Sequence, residues 1–284
     1  MKTTMRISAA LLLAAAAGCS GADPLGGLVL QGGSRVGSAY THDRTETVEG
    51  WLSVTADGKE SRQPLARMEH RVFEDEILDM DGPKIMKLRR KNTAWELRRQ
   101  GPGDAALRPV ARSLTGKTIV VRRGDLGTEI EGADGVTADE RRANSIDALE
   151  AILSLPAGPV APGQEWEIDG ERLVEIFGGE GESGLKVRDA RGTGRLERLE
   201  GSGAARVAVV LVRIRTVGSL RRLLDVDMTL TLEGTFRLEV GTGRLLGFDA
   251  QGRGEISGEV DRGGKPAVYA GTIKLAVEGR NIHR

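Results

Sequence analysis

Cysteine occurs once among 284 residues, at Cys19, and histidine three times, at His42, His70 and His283. A single cysteine excludes any disulfide within the chain, and the scattered histidines offer no metal-ligand spacing, so no metal site is expected. Three Trp, two Tyr and four Phe leave few side chains on which bases or sugars would stack. Basic and acidic residues are equal at 41 each, so no cationic footprint points to nucleic acid. Arginine far outnumbers lysine, which fits a GC-rich coding sequence better than phosphate chemistry. The one long uncharged apolar run, from Ile7 to Ala17, is shorter than the ~20 residues that span a bilayer. Also missing are a Gly-x-Ser-x-Gly nucleophile elbow and a phosphate-binding glycine loop placed between a strand and a helix. No catalytic residue and no cofactor is expected.

What is present begins with a secretion signal. Lys2 and Arg6 precede the apolar run, and small residues close it, the order of a signal peptide over residues 1–18. Ala16-Ala17-Gly18-Cys19 resembles a bacterial lipobox, although Ala16 stands where Leu is preferred. That resemblance implies cleavage before Cys19 and acylation there, with the acyl chains partnering a membrane. Ser20 after the cysteine favours the outer membrane, facing the periplasm. Residues 19–34 are rich in Gly and polar residues and read as a tether. Without Lys2 and Arg6 the rest of the chain carries a net charge of −2.

The remaining sequence, 35–284, has the period-2 alternation of long β-strands. From Val226 to Val240 the even positions are Val, Met, Leu, Leu, Gly, Phe, Leu and Val, and the odd ones are polar or charged. At ~3.3 Å per residue this strand approaches 50 Å, long enough to require a curved antiparallel sheet. Two meander halves, 35–135 and 185–284, flank a segment, 139–178, that reads as two helices. Ile146, Leu149, Ile152 and Leu153 give the first its apolar face; Asp169 caps the second, which continues through Phe177. The expected fold class is α+β, predominantly β: a half-barrel-like curved sheet with two packed helices.

Glycine supplies the most specific clue. Gly234, Gly252 and Gly254 share the phase of Leu232, Phe236, Phe248 and Ile256, which makes these seven the candidate lining of an apolar pocket. The charges of MEHRVFEDEILDMDG, including Glu69, His70, Glu74, Asp75, Glu76, Asp79 and Asp81, read as a solvated strand face. Neither a calcium loop nor a general base is expected there.

Leu155-Pro156, Pro162-Gly163-Gln164-Glu165-Trp166 and Thr242-Gly243-Arg244-Leu245 resemble recurring features of bacterial envelope lipoproteins that share a domain of unknown function. The architecture is also similar, at the level of fold, to periplasmic half-barrel lipoprotein carriers. The first resemblance implies no activity and no catalytic residue. The expected function is therefore a lipid-anchored, non-catalytic envelope protein that binds a hydrophobic small molecule. An envelope structural or protein-interaction module is the alternative, and a hydrolase with a dispersed site the third reading.

Overall fold

The computed structural model describes residues 34–284 except 83, 102–103, 125–126, 145, 147–154, 157, 172, 175–184, 203–205, 221–222, 241, 262–264 and 284. The expected signal peptide, Cys19 and all of the expected tether but Ser34 lie outside the described residues. Among the described residues, twelve strands form one antiparallel sheet: β1 Ala39–Ala56, β2 Lys59–Asp81, β3 Lys84–Arg99, β4 Arg108–Val110, β5 Thr118–Gly124, β6 Gly127–Glu131, β7 Glu165–Ile168, β8 Leu185–Glu200, β9 Val207–Leu220, β10 Leu223–Glu239, β11 Leu245–Asp261 and β12 Pro266–His283. Their order is β6-β5-β3-β2-β1-β12-β11-β10-β9-β8-β7, with β4 beside β3. Both meanders thus belong to a single sheet, joined where β1 pairs with β12 from Tyr40↔His283 to Ala56↔Ala267.

Local chemistry explains the long strands. Asp57 and Gly58 both have positive φ, 50° and 70°, which gives the two-residue turn whose twist matches that of flanking antiparallel strands. It sets Ala56 opposite Lys59 and fixes the register of β1 and β2 over their full pairing. Without a bulge in that pairing, even residues of β1 and odd residues of β2 share one face. The polar phase of β8–β12 lies on the opposite face, crossed by exposed ion pairs such as Arg213 to Glu233 (2.7 Å) and Arg188 to Asp227 (2.7 Å). Exposed pairs of this kind add little stability individually.

The α+β expectation is overturned, because the fold is nearly all β. Described helix comprises α1, Ala138–Ala143, and a turn within 170–174. Of the four residues expected to form the first helix's apolar face, Ile146 alone is described; it is buried at 6% exposure. Leu149, Ile152, Leu153 and Phe177 lie outside the described residues. Among the described residues the helical pieces are this short, present one or two apolar side chains each, and make no layer against strands of 14 to 18 residues. Extended chain at Val160 and β7, together with the helical turn at Leu173, covers that face instead. Val160, Ile168 of β7 and Leu173 pack against the apolar face of β8–β12 and join its cluster. A second, smaller apolar cluster, built on Leu88, Trp95, Leu114, Ile119, Val121 and Ile146, lies at β3 and β5.

Candidate functional site

The seven residues expected to line a pocket all fall on the apolar face, where the chain's own packing closes around them. Leu232, Phe236, Phe248 and Ile256 are 1–8% exposed. A Cβ at Gly254 would stand 2.5 Å from Ile273 Cγ1, and one at Gly234 would stand 2.6 Å from the Ala250 Cβ. Glycine here admits neighbouring strands' own atoms, as close packing of a coiled sheet requires.

Farther across the same face, the side chains turn ionic. On β1, β2 and β3 the inward phase runs through His42, Arg44, Glu46, Arg67, Glu69, Arg71, Phe73, Asp75, Arg90 and Trp95. Arg90 grips Asp75 with two bonds, Nε to Oδ1 at 2.7 Å and Nη2 to Oδ2 at 2.6 Å. Arg71 donates to Asn92 Oδ1 (3.3 Å), Asn144 Oδ1 (3.1 Å) and the Ala143 carbonyl. Its guanidinium lies 4.1 Å from the Trp95 ring centroid, and the Trp95 indole N–H donates to Glu69. Phe73 is covered by His42, stacked at 4.6 Å, and by Arg90 at 4.4 Å. Toward the rim, Arg67 bridges Glu46 (3.1 Å) and Glu69, while Arg44 holds Glu46 at 3.0 Å. Charge-assisted, bidentate and cation–π contacts together let a strand face hold ions away from water.

Burial and the neighbouring Arg90 charge pull the Arg71 guanidinium down to about 9, against the opposing pull of Glu69. Burial likewise lowers His42 below the usual 6.5, although Asp75 and the bond to Asn281 (2.8 Å) act the other way. The unfolded chain therefore takes up a proton near pH 6.5 that the fold resists, and stability falls as pH drops through that value. One group sets the slope at no more than about 1.4 kcal/mol per pH unit. Urea unfolding at pH 7.5 and 5.5 should show this loss, and His42→Gln should remove part of it. At α1, Thr137 and Glu140 form a reciprocal cap (Glu140 N to Thr137 Oγ1, 3.2 Å; Thr137 N to Glu140 Oε2, 3.1 Å). Burial works to raise the Glu140 carboxyl, but bonds from Thr137 and Ser113 outweigh it and hold the carboxyl below its usual range.

Glu69 and Asp75, expected on a solvated face, are 6% and 7% exposed. The sequence carries the signal that separates them: they share the phase of Phe73 and Ile77, whereas His70, Glu74 and Glu76 occupy the other. His70 meets Asp43 at 2.9 Å on that outer side. Among the described residues no cluster of His, Cys, Asp and Glu is arranged to hold a metal ion.

Between the ionic band and the sealed core of β8–β11 lies a third zone. Val48, Leu52, Val54, Leu65, Ile273 and Leu275 are half-buried, neither sealed nor polar. At its middle the backbones of β1 and β12 approach so closely that a Cβ on Gly50 would stand 2.1 Å from the Thr272 carbonyl oxygen. No side chain rises there.

No protein-family model and no curated protein matches the sequence. Among solved structures, lipovitellin, studied for its lipid–protein interactions, is similar over 85% of this chain at 10% identity and a TM-score of 0.41. The chain spans a quarter of the lipovitellin chain. The outer-membrane channel DcaP of Acinetobacter baumannii is 8% identical over 91% of this chain and 100% of its own, with a TM-score of 0.15. OpdQ of Pseudomonas aeruginosa is 6% identical over 86% and 98%, with a TM-score of 0.16. Likenesses this distant carry no argument about function.

Proposed function

We propose that this is a lipid-anchored, non-catalytic protein of the bacterial envelope that holds the acyl part of a hydrophobic ligand on the half-exposed strip of β12, β1 and β2. One observation carries the reading. On a face sealed on one side over the apolar cluster of β8–β12 and passing on the other into the ionic band, the strip of Val48, Leu52, Leu65, Ile273 and Leu275 keeps partial access to solvent. A soluble domain that gains by burying apolar surface leaves such a stretch open where something else covers it. Val48 to Ala56 extends roughly 26 Å along β1, a linear track suited to an extended hydrocarbon chain. The lipobox at Cys19 supports anchoring, and acyl chains there would keep the strip near the membrane from which such ligands come.

Native mass spectrometry after extraction in mild detergent tests both parts at once. The chain should begin at Cys19 with covalent acyl mass and should carry one further amphiphile released on activation. A chain free of acyl mass overturns the anchoring, and a protein empty in every preparation overturns the ligand-binding reading.

A further inference from the structure

Which ligand the strip accepts is written in what adjoins it. In the antiparallel register Val48 stands opposite Arg67 on one side and Leu275 on the other, so the apolar track meets its first guanidinium within one strand spacing. Two residues on, Glu46 accepts from both Arg67 and Arg44, and beyond it Arg44 stands opposite Arg71. Arg44 and Arg67 are 37% and 38% exposed, the open lip of the band, while Glu69, Asp75, Arg71 and Arg90 lie behind them at 6–8%. Apolar and cationic groups are thus arranged in sequence along the same strands.

The band's balance is not neutral. Arg44, Arg67, Arg71 and Arg90 face Glu46, Glu69 and Asp75, leaving one excess positive charge, and burial works against charge on His42. At the margin Arg112, whose guanidinium lies 5.0 Å from the Trp95 ring centroid, and Glu140, bonded to Ser113, contribute one charge of each sign. Moreover, the band's buried polar atoms without a hydrogen-bond partner are Arg71 Nε, Asn92 Nδ2 and Arg112 Nε. All three are donors. A shortage of acceptors together with surplus cation favours an anion, and guanidinium groups match the planar oxygens of carboxylate and phosphate.

Resting on the acyl-binding reading above, we infer that the ligand is an anionic amphiphile, its acid head group received by Arg67 and Arg44 and its hydrocarbon laid along Val48, Leu52, Leu65, Ile273 and Leu275. Glu46 occupies both arginines in the structure described and is the group that the head would displace from them. The binding is reversible and forms no covalent bond.

The probe is cis-parinaric acid, whose fluorescence reports transfer from water, measured beside its neutral methyl ester on the full mature protein. The acid should bind at least tenfold more tightly than the ester, the scale of one charge-assisted hydrogen bond. Arg67→Gln should bring the acid's affinity down toward the ester's, with the far-UV circular dichroism spectrum certifying the fold. Glu46→Gln, which removes the carboxylate shared by Arg44 and Arg67 while Arg67 keeps its bond to Glu69, should strengthen acid binding. Equal binding of acid and ester by the unaltered protein overturns the head-group inference and leaves the acyl reading standing. An acid preference that survives Arg67→Gln and Arg44→Gln together likewise overturns it. Binding of neither compound overturns both.

Discussion

Asp75→Ala should destabilise the fold by about 3–5 kcal/mol, among the largest effects available from one side chain. Asp75 is held by both Arg90 bonds at 2.6–2.7 Å, and the two side chains are 7% and 6% exposed. Removing the carboxylate leaves the guanidinium dry and uncompensated against Phe73, and desolvation without a partner is what makes such truncations severe. Urea denaturation should show a lower midpoint with an unchanged slope. The pair itself need not be stabilising. Asp75→Leu combined with Arg90→Met removes both charges at once, and most of the loss should be recovered, because burying an ion pair offsets much of its own attraction. A loss below about 1 kcal/mol in the single variant would mean that water reaches Arg90 freely.

Phe236→Ala should cost a comparable amount, about 3–5 kcal/mol, for a different reason. The ring is 1% exposed and stacks on Phe248, its direct cross-strand partner, with centroids 5.7 Å apart and planes at 18°. Phe248 in turn covers Gly279, where a Cβ would stand 2.4 Å from Cε1. Taking away Phe236 opens a void at the meeting of β9, β10 and β11, where a stiff sheet relaxes little. Met68→Ala on the outer face, at 40% exposure, provides the contrast and should change stability by less than about 0.5 kcal/mol. Thermal unfolding of the two variants side by side measures the difference.

Much of the sheet is legible in the sequence because its strands keep an unbroken period of two. The run from Val226 to Leu238 lies in one strand, paired on both sides, and its even residues are the buried ones. The reading falters where alternation is interrupted. Residues 84–90 and 94–100 read as two strands, but β3 is continuous through a bulge that leaves Thr93 without a partner in the register with β2. The bulge keeps Asn92, 1% exposed, facing Arg71, whereas a turn would have carried it away. The helical expectation rests on apolar spacing at 146–153, of which Ile146 alone is described. The ionic band escapes because β2 is charged on both faces. Hydrophobicity then has to be read from Phe73 and Ile77 alone, two residues against the weight of Glu69, Arg71 and Asp75. Which apolar residues are sealed and which are left open depends on the cross-strand register, and no local pattern encodes it.

The pairing of β1 with β12 also sets a timetable. In an ordinary meander each strand finds its neighbour as it is made, and an edge strand can wait. Here the seam at the middle of the sheet joins residues more than 200 positions apart, as in the bond between His42 and Asn281. The half-buried strip is incomplete until β12 has arrived, because Ile273 and Leu275 form one side of it, and Asn281 then holds His42 in place. Closing so distant a contact is slow by the entropy of the loop it ends. Until then β1 presents an unpaired edge at the centre of the molecule, and that interval is when the chain is most exposed to a wrong partner.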